Sequence, residues 1–164
     1  PIVRYPAPTL KQRSFEVELD RIRQPEFQKF IDVLIETMII ADGVGIAAPQ
    51  PGHNVRVAIL ARPEEPHEVL INPGIISRSL RSETMEEGCL SLPGVFGMVK
   101  RARALRFKAY DRRGKLFERN AKGLDPRVVQ HEVDHLDGIL FTKRATRITA
   151  DTSELLPKKK RDIL

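Results

Sequence analysis

Apolar side chains recur at helical spacing at Phe27, Phe30, Ile31, Leu34, Ile35 and Met38. That period predicts an amphipathic helix. Pro25 suits its first turn, where a missing N–H costs nothing, and the helix should end before Gly43. Val55 to Leu60 reads as a buried strand, and Val69 to Ile76 as a second, interrupted at Asn72-Pro73-Gly74. Leu105, Phe107 and Ala109 alternate with Arg106, Lys108 and Tyr110, the period of a half-exposed strand. Asp111 to Gly114 then supplies a turn and Leu116 to Asn120 a returning strand. Asp125 as N-cap and Pro126 as first helical residue open a second long helix, running to about Asp137 and stopped by Gly138.

The stretches between are less regular. Residues 43 to 52 read as a Gly/Pro/Ala-rich loop, and Glu86 to Gly97 as loop with a short strand. Residues 1–24, rich in Pro and charge, read as an extended N-terminal arm. Residues from about 148 to 164 read as a polar, basic tail ending in Lys158-Lys159-Lys160-Arg161. No internal repeat is present. Two helices among several short strands predict an α+β fold. The expected architecture is a single compact domain over residues 1–164, with antiparallel or mixed short-stranded sheets around a central helix.

Composition narrows the class of protein. With 41% hydrophobic and 30% charged residues, the 164-residue chain can bury a core and is not disordered. Aromatic residues make up 5% and there is no Trp, which argues against a stacking surface for single-stranded nucleic acid. The net charge of +6 suits work near an anionic partner such as RNA, without sequence-specific nucleic-acid binding. A single cysteine, Cys89, excludes an internal disulfide. No apolar run approaches the roughly 20 residues that span a bilayer. The longest, Phe27 to Ile40, is broken by Gln28, Lys29, Asp32 and Glu36, so no membrane partner is expected. No signal-peptide or transit-like segment opens the sequence. The expected location is the cytoplasm, of a bacterium or of an organelle after removal of a transit peptide.

Chemistry enters with His131-Glu132-Val133-Asp134-His135 on the second helix. Side chains at i and i+4 share a helix face, so both imidazoles can address one ion, with Glu132 beside them to meet a water. A chance pair of histidines on a structural face is the alternative, and the capped helix around the motif argues against it. Two histidines do not complete an open catalytic site, which takes three protein ligands and a water. His53 and His67 lie in Pro-containing loops and read as surface residues. Nothing after His135 supplies the extra histidine or Glu-bearing helix of familiar zinc proteases. Cys89, in Glu87-Gly88-Cys89-Leu90-Ser91, is either a small buried hydrophobe or the third ligand. Beside the histidine motif, the ligand reading is favoured. Gly43-Val44-Gly45-Ile46-Ala47-Ala48-Pro49-Gln50 has G-x-G spacing but follows a helix and lacks a dinucleotide fingerprint.

Taken together, GVGIAAPQ, EGCLS and QHEVDH, in that order, resemble the three signature motifs of the peptide deformylase family. The opening Tyr5-Pro6-Ala7-Pro8-Thr9-Leu10 is also similar, and the resemblance covers nearly the whole chain. It implies a hydrolase that removes the formyl group from N-terminal formyl-methionine of nascent polypeptides, releasing formate. It implies that Cys89, His131 and His135 bind one divalent metal, typically Fe(II), with Zn, Ni or Co able to take its place. Glu132 would be the acid/base, and Gln50 with the Leu90 N–H would hold the oxyanion. Gly43, Val44, Gly45, Met85, Leu124, Val128 and the ring of His131 would receive the formyl-methionine, and Glu87 would hold structure around the site. Asp42 and Arg101 would pair across the cleft or stand as surface residues. The resemblance also implies transient ribosome contact, through Lys158 to Arg161, for which a solvated tail is the other reading. Three rivals remain at this stage: a zinc-dependent peptidase, a catalytically inactive deformylase-like binding protein, and a basic RNA-associated module with a structural metal.

Overall fold

A computed structural model of the chain describes residues 1–62 and 66–152. Its helices are α1 (Leu19–Ile22), α2 (Pro25–Ile40) and α3 (Asp125–Leu136). Its strands are β1 (Gly45–Ala47), β2 (Val57–Leu60), β3 (Glu68–Arg78), β4 (Ser82–Gly88), β5 (Val95–Ala102), β6 (Leu105–Tyr110), β7 (Leu116–Ala121) and β8 (Ala145–Asp151). They form a five-stranded sheet in the order β1-β2-β3-β6-β7 and a three-stranded sheet in the order β4-β5-β8. Every neighbouring pair is antiparallel.

The inner strands of the larger sheet are covered on both faces. Successive side chains of a strand point to opposite sides. Ile46, Val57, Ile59 and Ile71 pack with Phe27, Ile31, Leu34 and Met38 of α2. Ala47, Ala58, Leu60, Leu70, Leu105, Phe107 and Ala109 pack with Val129, Val133 and Leu136 of α3. Burying one such Leu, Ile or Phe stabilises by roughly 2 kcal/mol, so an unbroken apolar run is what a doubly covered strand requires. A third cluster joins Leu10 of the arm to Leu92, Val95, Val99, Phe141 and Ile148 around the smaller sheet.

Helix α3 therefore links the sheets through two different faces. Its apolar face rests on the larger sheet. Its polar face is tied to β5: the Gln130 side chain exchanges hydrogen bonds with the N–H and C=O of Ala102 at 3.2 and 3.1 Å. Arg127 donates to the Val99 carbonyl at 3.0 Å. No helix among the described residues is long and apolar enough to cross a membrane.

Several expectations need correction. The loop expected over residues 43 to 52 contains β1, paired with β2. Glu86 to Gly97 does hold the expected loop, the turn Cys89 to Gly94, but between the ends of two paired strands, β4 and β5, rather than beside one. The polar tail expected from about residue 148 overlaps β8, which pairs with β5 as far as Asp151. Lys158 to Arg161 lie outside the described residues. The arm is not simply extended: it includes a one-turn 3-10 helix at Pro8–Lys11 and α1. The Asn72 side chain grips it, accepting from the Val17 N–H at 2.8 Å and donating to the Val17 carbonyl at 2.9 Å. Asn72 has φ +50, and the β3–β6 register slips between Ile71 and Gly74, where the interruption was expected. Asp125 is the first helical residue rather than the cap, because its carboxylate is taken by Arg62 and Arg119. Helix α2 does end before Gly43 as expected: its last residue is Ile40, Asp42 follows at φ +52, and the Gly43 N–H reaches the Met38 carbonyl at 3.0 Å.

Candidate metal centre and its cleft

Three segments meet at one end of a cleft of about 530 Å³. Helix α3 presents His131 and His135 one turn apart, with ring centroids 5.0 Å apart. The β4–β5 turn brings in Cys89. That turn is closed by the Leu92 N–H on the Cys89 carbonyl at 2.9 Å, and Gly94 takes φ +76. The ligand atoms of Cys89, His131 and His135 all lie within 4.8 Å of one another. Cys89 Sγ stands 3.2 Å from His135 Nε2. His131 Nδ1 is 3.0 Å from a Glu87 carboxylate oxygen, which leaves Nε2 for the site.

The electrostatics fit a cation at this point. Burial alone pushes the Cys89 thiol up, but the adjacent His135 and His131 outweigh it and bring it down to about 5. Burial alone lowers His131, while hydrogen bonds to Cys89 and Glu87 raise it to about 10. A thiolate thus draws positive charge onto the His131 imidazole beside it. One divalent ion would satisfy all three donors and release that proton. Glu132 is buried, and burial raises its carboxyl above the usual range, with the histidines pulling the other way. Its Oε2 has no hydrogen-bond partner among the described residues, so it is available to a water or a substrate.

The third segment supplies Gln50. Its Oε1 accepts the Ala47 N–H at 2.8 Å, which turns the amide nitrogen towards the site. That nitrogen lies 3.6 Å from Cys89 Sγ and 3.5 Å from Ser91 Oγ. Gly45 lets this strand approach the helix: a Cβ there would stand 2.7 Å from Glu132 Oε1 and 2.9 Å from Val128 Cγ1. Gly43, Val44, Gly45, Gln50, Met85, Glu87, Cys89, Leu90, Leu124, Val128, His131 and Glu132 all line the cleft. His135, only 1% exposed, lies beneath that lining. His53 and His67 do not join the cluster.

A charged network lies behind the ligands, and only Glu87 of its members was anticipated in a supporting role. Burial would raise the Glu87 carboxyl, but hydrogen bonds from His131 and Arg101 hold it at about 2. Arg101 donates twice to Glu87 at 3.0 Å and also pairs with Asp134. This overturns the expected Asp42–Arg101 pair: Arg101 is buried and turned inward. Asp134 in turn holds Arg144 at 2.9 Å, and Arg127 pairs with Glu87. Asp134 and Arg144 carried no local signal, because charged side chains ordinarily face water.

The polypeptide deformylase family model matches residues 1–151. The chain belongs to that family. A peptide deformylase of Desulforudis audaxviator is 44% identical over 147 residues, 90% of this chain and 94% of its own length. That of Dictyoglomus thermophilum is 46% identical over 147 residues, 90% and 93% of the two lengths. A class I type b peptide deformylase of Acinetobacter baumannii, solved with Met-Ala-Ser bound, superposes with a TM-score of 0.84 at 37% identity, covering 88% of this chain and 96% of its own. The protein is an amide hydrolase of protein biosynthesis that removes the N-formyl group from nascent polypeptides, within a metal-dependent family. Its α+β architecture of antiparallel sheets is that of the solved relatives.

Proposed function

We propose that residues 1–164 form one catalytic domain that acts on formyl-methionyl peptides with Cys89, His131 and His135 as ligands of one Fe(II) ion. The helix carrying the two histidines is the central element of that domain. The observation that supports this reading most is the convergence of those donors with the buried carboxylate of Glu132 and the turned amide of Gln50 on one cleft. Bound there, a divalent ion supplies Lewis acidity and makes water a nucleophile near neutral pH. Glu132 takes a proton from the attacking water and delivers it to the leaving amine as the C–N bond breaks and formate departs. The Gln50 amide and the Leu90 N–H donate to the formyl oxygen as it gains negative charge. Glu87, through His131 Nδ1, keeps that ring oriented.

The methionine side chain enters the cleft among Val44, Met85, Leu124, Val128 and the His131 ring. Strands β1 and β4 are sheet edges, and residues of both border the cleft. Their unpaired backbone groups offer an extended peptide a strand position beside Gly43, Gly45 and Glu87. A bacterial cytoplasm supplies the substrate. The net charge of +6 supports transient contact with the ribosome.

The test is anaerobic formate release from formyl-Met-Ala by Fe(II)-loaded protein, with metal analysis of the same sample. Glu132→Gln should retain the metal and lose about a thousandfold or more of the turnover. No formate from the loaded wild type would overturn the proposal. Cleavage of an internal peptide bond would favour a zinc peptidase. An unaltered rate in Glu132→Gln would remove Glu132 from the chemistry.

A further inference from the structure

We infer that Phe96 reads the second residue of the formylated peptide and favours a large apolar side chain there. The inference rests on the deformylase reading of the cleft and adds a specificity determinant to it. Phe96 is 42% exposed although it lies on a strand in a folded sheet, and it lines the cleft. Its cross-strand partner is Gly88, the last residue of β4. A Cβ on Gly88 would stand 2.9 Å from Phe96 Cε1 and 3.1 Å from Cδ1. The ring therefore lies across the bare Gly88 backbone and reaches from β5 over β4 to the cleft. One side is covered by the strand, and part of the ring remains open to water.

The alternation of β4 says which substrate side chain meets it. Glu87 is buried against His131, so its side of the strand faces the metal centre. Thr84, Glu86 and Gly88 belong to the opposite face, as does Phe96 through its pairing. A peptide extended along the β4 edge alternates in the same way. Its methionine enters the cleft on the Glu87 side, and its second side chain turns to the side of Gly88 and Phe96. The carboxylate on that face, Glu86, accepts from Thr149 Oγ1 at 2.6 Å. A second residue that is apolar gains contact area on the ring. A small polar one finds no partner in it.

The experiment compares formyl-Met-X-Ser peptides, with X as Ser, Ala, Leu or Phe, on the Fe(II)-loaded full chain under anaerobic conditions. Wild type should favour X = Phe over X = Ser by roughly three- to tenfold in kcat/KM, carried by KM. Phe96→Ala should bring that ratio to within about twofold, and Phe96→Leu should leave it between the two. A purely structural role for Phe96 would depress all four substrates alike and keep the ratio. A wild-type ratio near one, or a ratio unchanged in Phe96→Ala, would overturn the inference. No formate from any peptide with wild type would overturn the deformylase reading and this inference with it.

Discussion

Replacing Gly45 with alanine tests whether Glu132 must stand where the fold holds it. The new Cβ would lie 2.7 Å from Glu132 Oε1, 3.2 Å from its Cδ and 2.9 Å from Val128 Cγ1. Ordinary contact begins near 3.4 Å, so the carboxylate must retreat by about 0.7 Å. Misplacing a reacting group by about 1 Å can cost on the order of a hundredfold in rate. We therefore expect kcat to fall about 10- to 100-fold, equivalent to about 1.4–2.7 kcal/mol of lost transition-state stabilisation. The stability penalty should be only about 1 kcal/mol, because the tightest contact is with the end of a flexible side chain. The nearest atoms to the new Cβ belong to Glu132 and Val128, not to Cys89, His131 or His135, so metal content should stay at the wild-type level. The assay is steady-state formate release from formyl-Met-Ala, with metal measured on the same sample. A kcat within about twofold of wild type at full metal content would refute the argument. So would a rise in KM alone, which would assign the effect to Val128 and the pocket.

Two further outcomes follow from the packing and charge around the site. The Glu87 carboxyl is held at about 2 in the fold against 4.5 when free. Its lowered value stabilises the fold above pH 4.5, and that contribution disappears as pH falls towards 2. In metal-free protein, Glu87→Gln should cost about 3 kcal/mol near neutral pH and less than about 1 kcal/mol near pH 2, read from urea unfolding. A pH-independent difference would show that the charge is not what matters. Gly138 has φ +71, and a Cβ there would meet the Lys11 backbone at 2.6 and 2.7 Å. Backbone cannot step aside as a side chain does, so Gly138→Ala should destabilise by about 3 kcal/mol, or roughly 6–12 °C in Tm. An unchanged melting temperature would contradict that close approach.

The legibility of the fold followed how local its causes were. Helices α2 and α3 could be read because their apolar spacing and proline starts lie within a few turns of chain. Strands β2 and β6 could be read from a continuous run and from alternation. Strand β4 could not: Ser82, Glu83, Thr84 and Glu86 are exposed, and an edge strand facing the cleft shows no apolar period. The second half of β8 reads as tail because only Ile148 is fully buried, and the strand owes its order to β5, some fifty residues earlier. The N-cap assigned to Asp125 failed for a related reason. Arg62, far away in sequence, claims the carboxylate through a contact no local rule anticipates.

The sequence alone determined the chemistry of the individual donors. His131 and His135 share a helix face because of their four-residue spacing, and Glu132 comes with them. Their incomplete ligand set favoured Cys89 as the third donor, and resemblance added Gln50, Leu90 and a deformylase reaction. The tertiary structure decided where those groups stand relative to one another. The β4–β5 turn carries Cys89 to within 3.2 Å of His135, and Gly45 admits β1 against Glu132. It also decided which charges are buried, placing Arg101 between Glu87 and Asp134 instead of across from Asp42. The physical reason is range. Helical spacing is enforced by bonds a few residues apart, whereas ligand geometry and burial depend on segments forty or more residues apart being packed together.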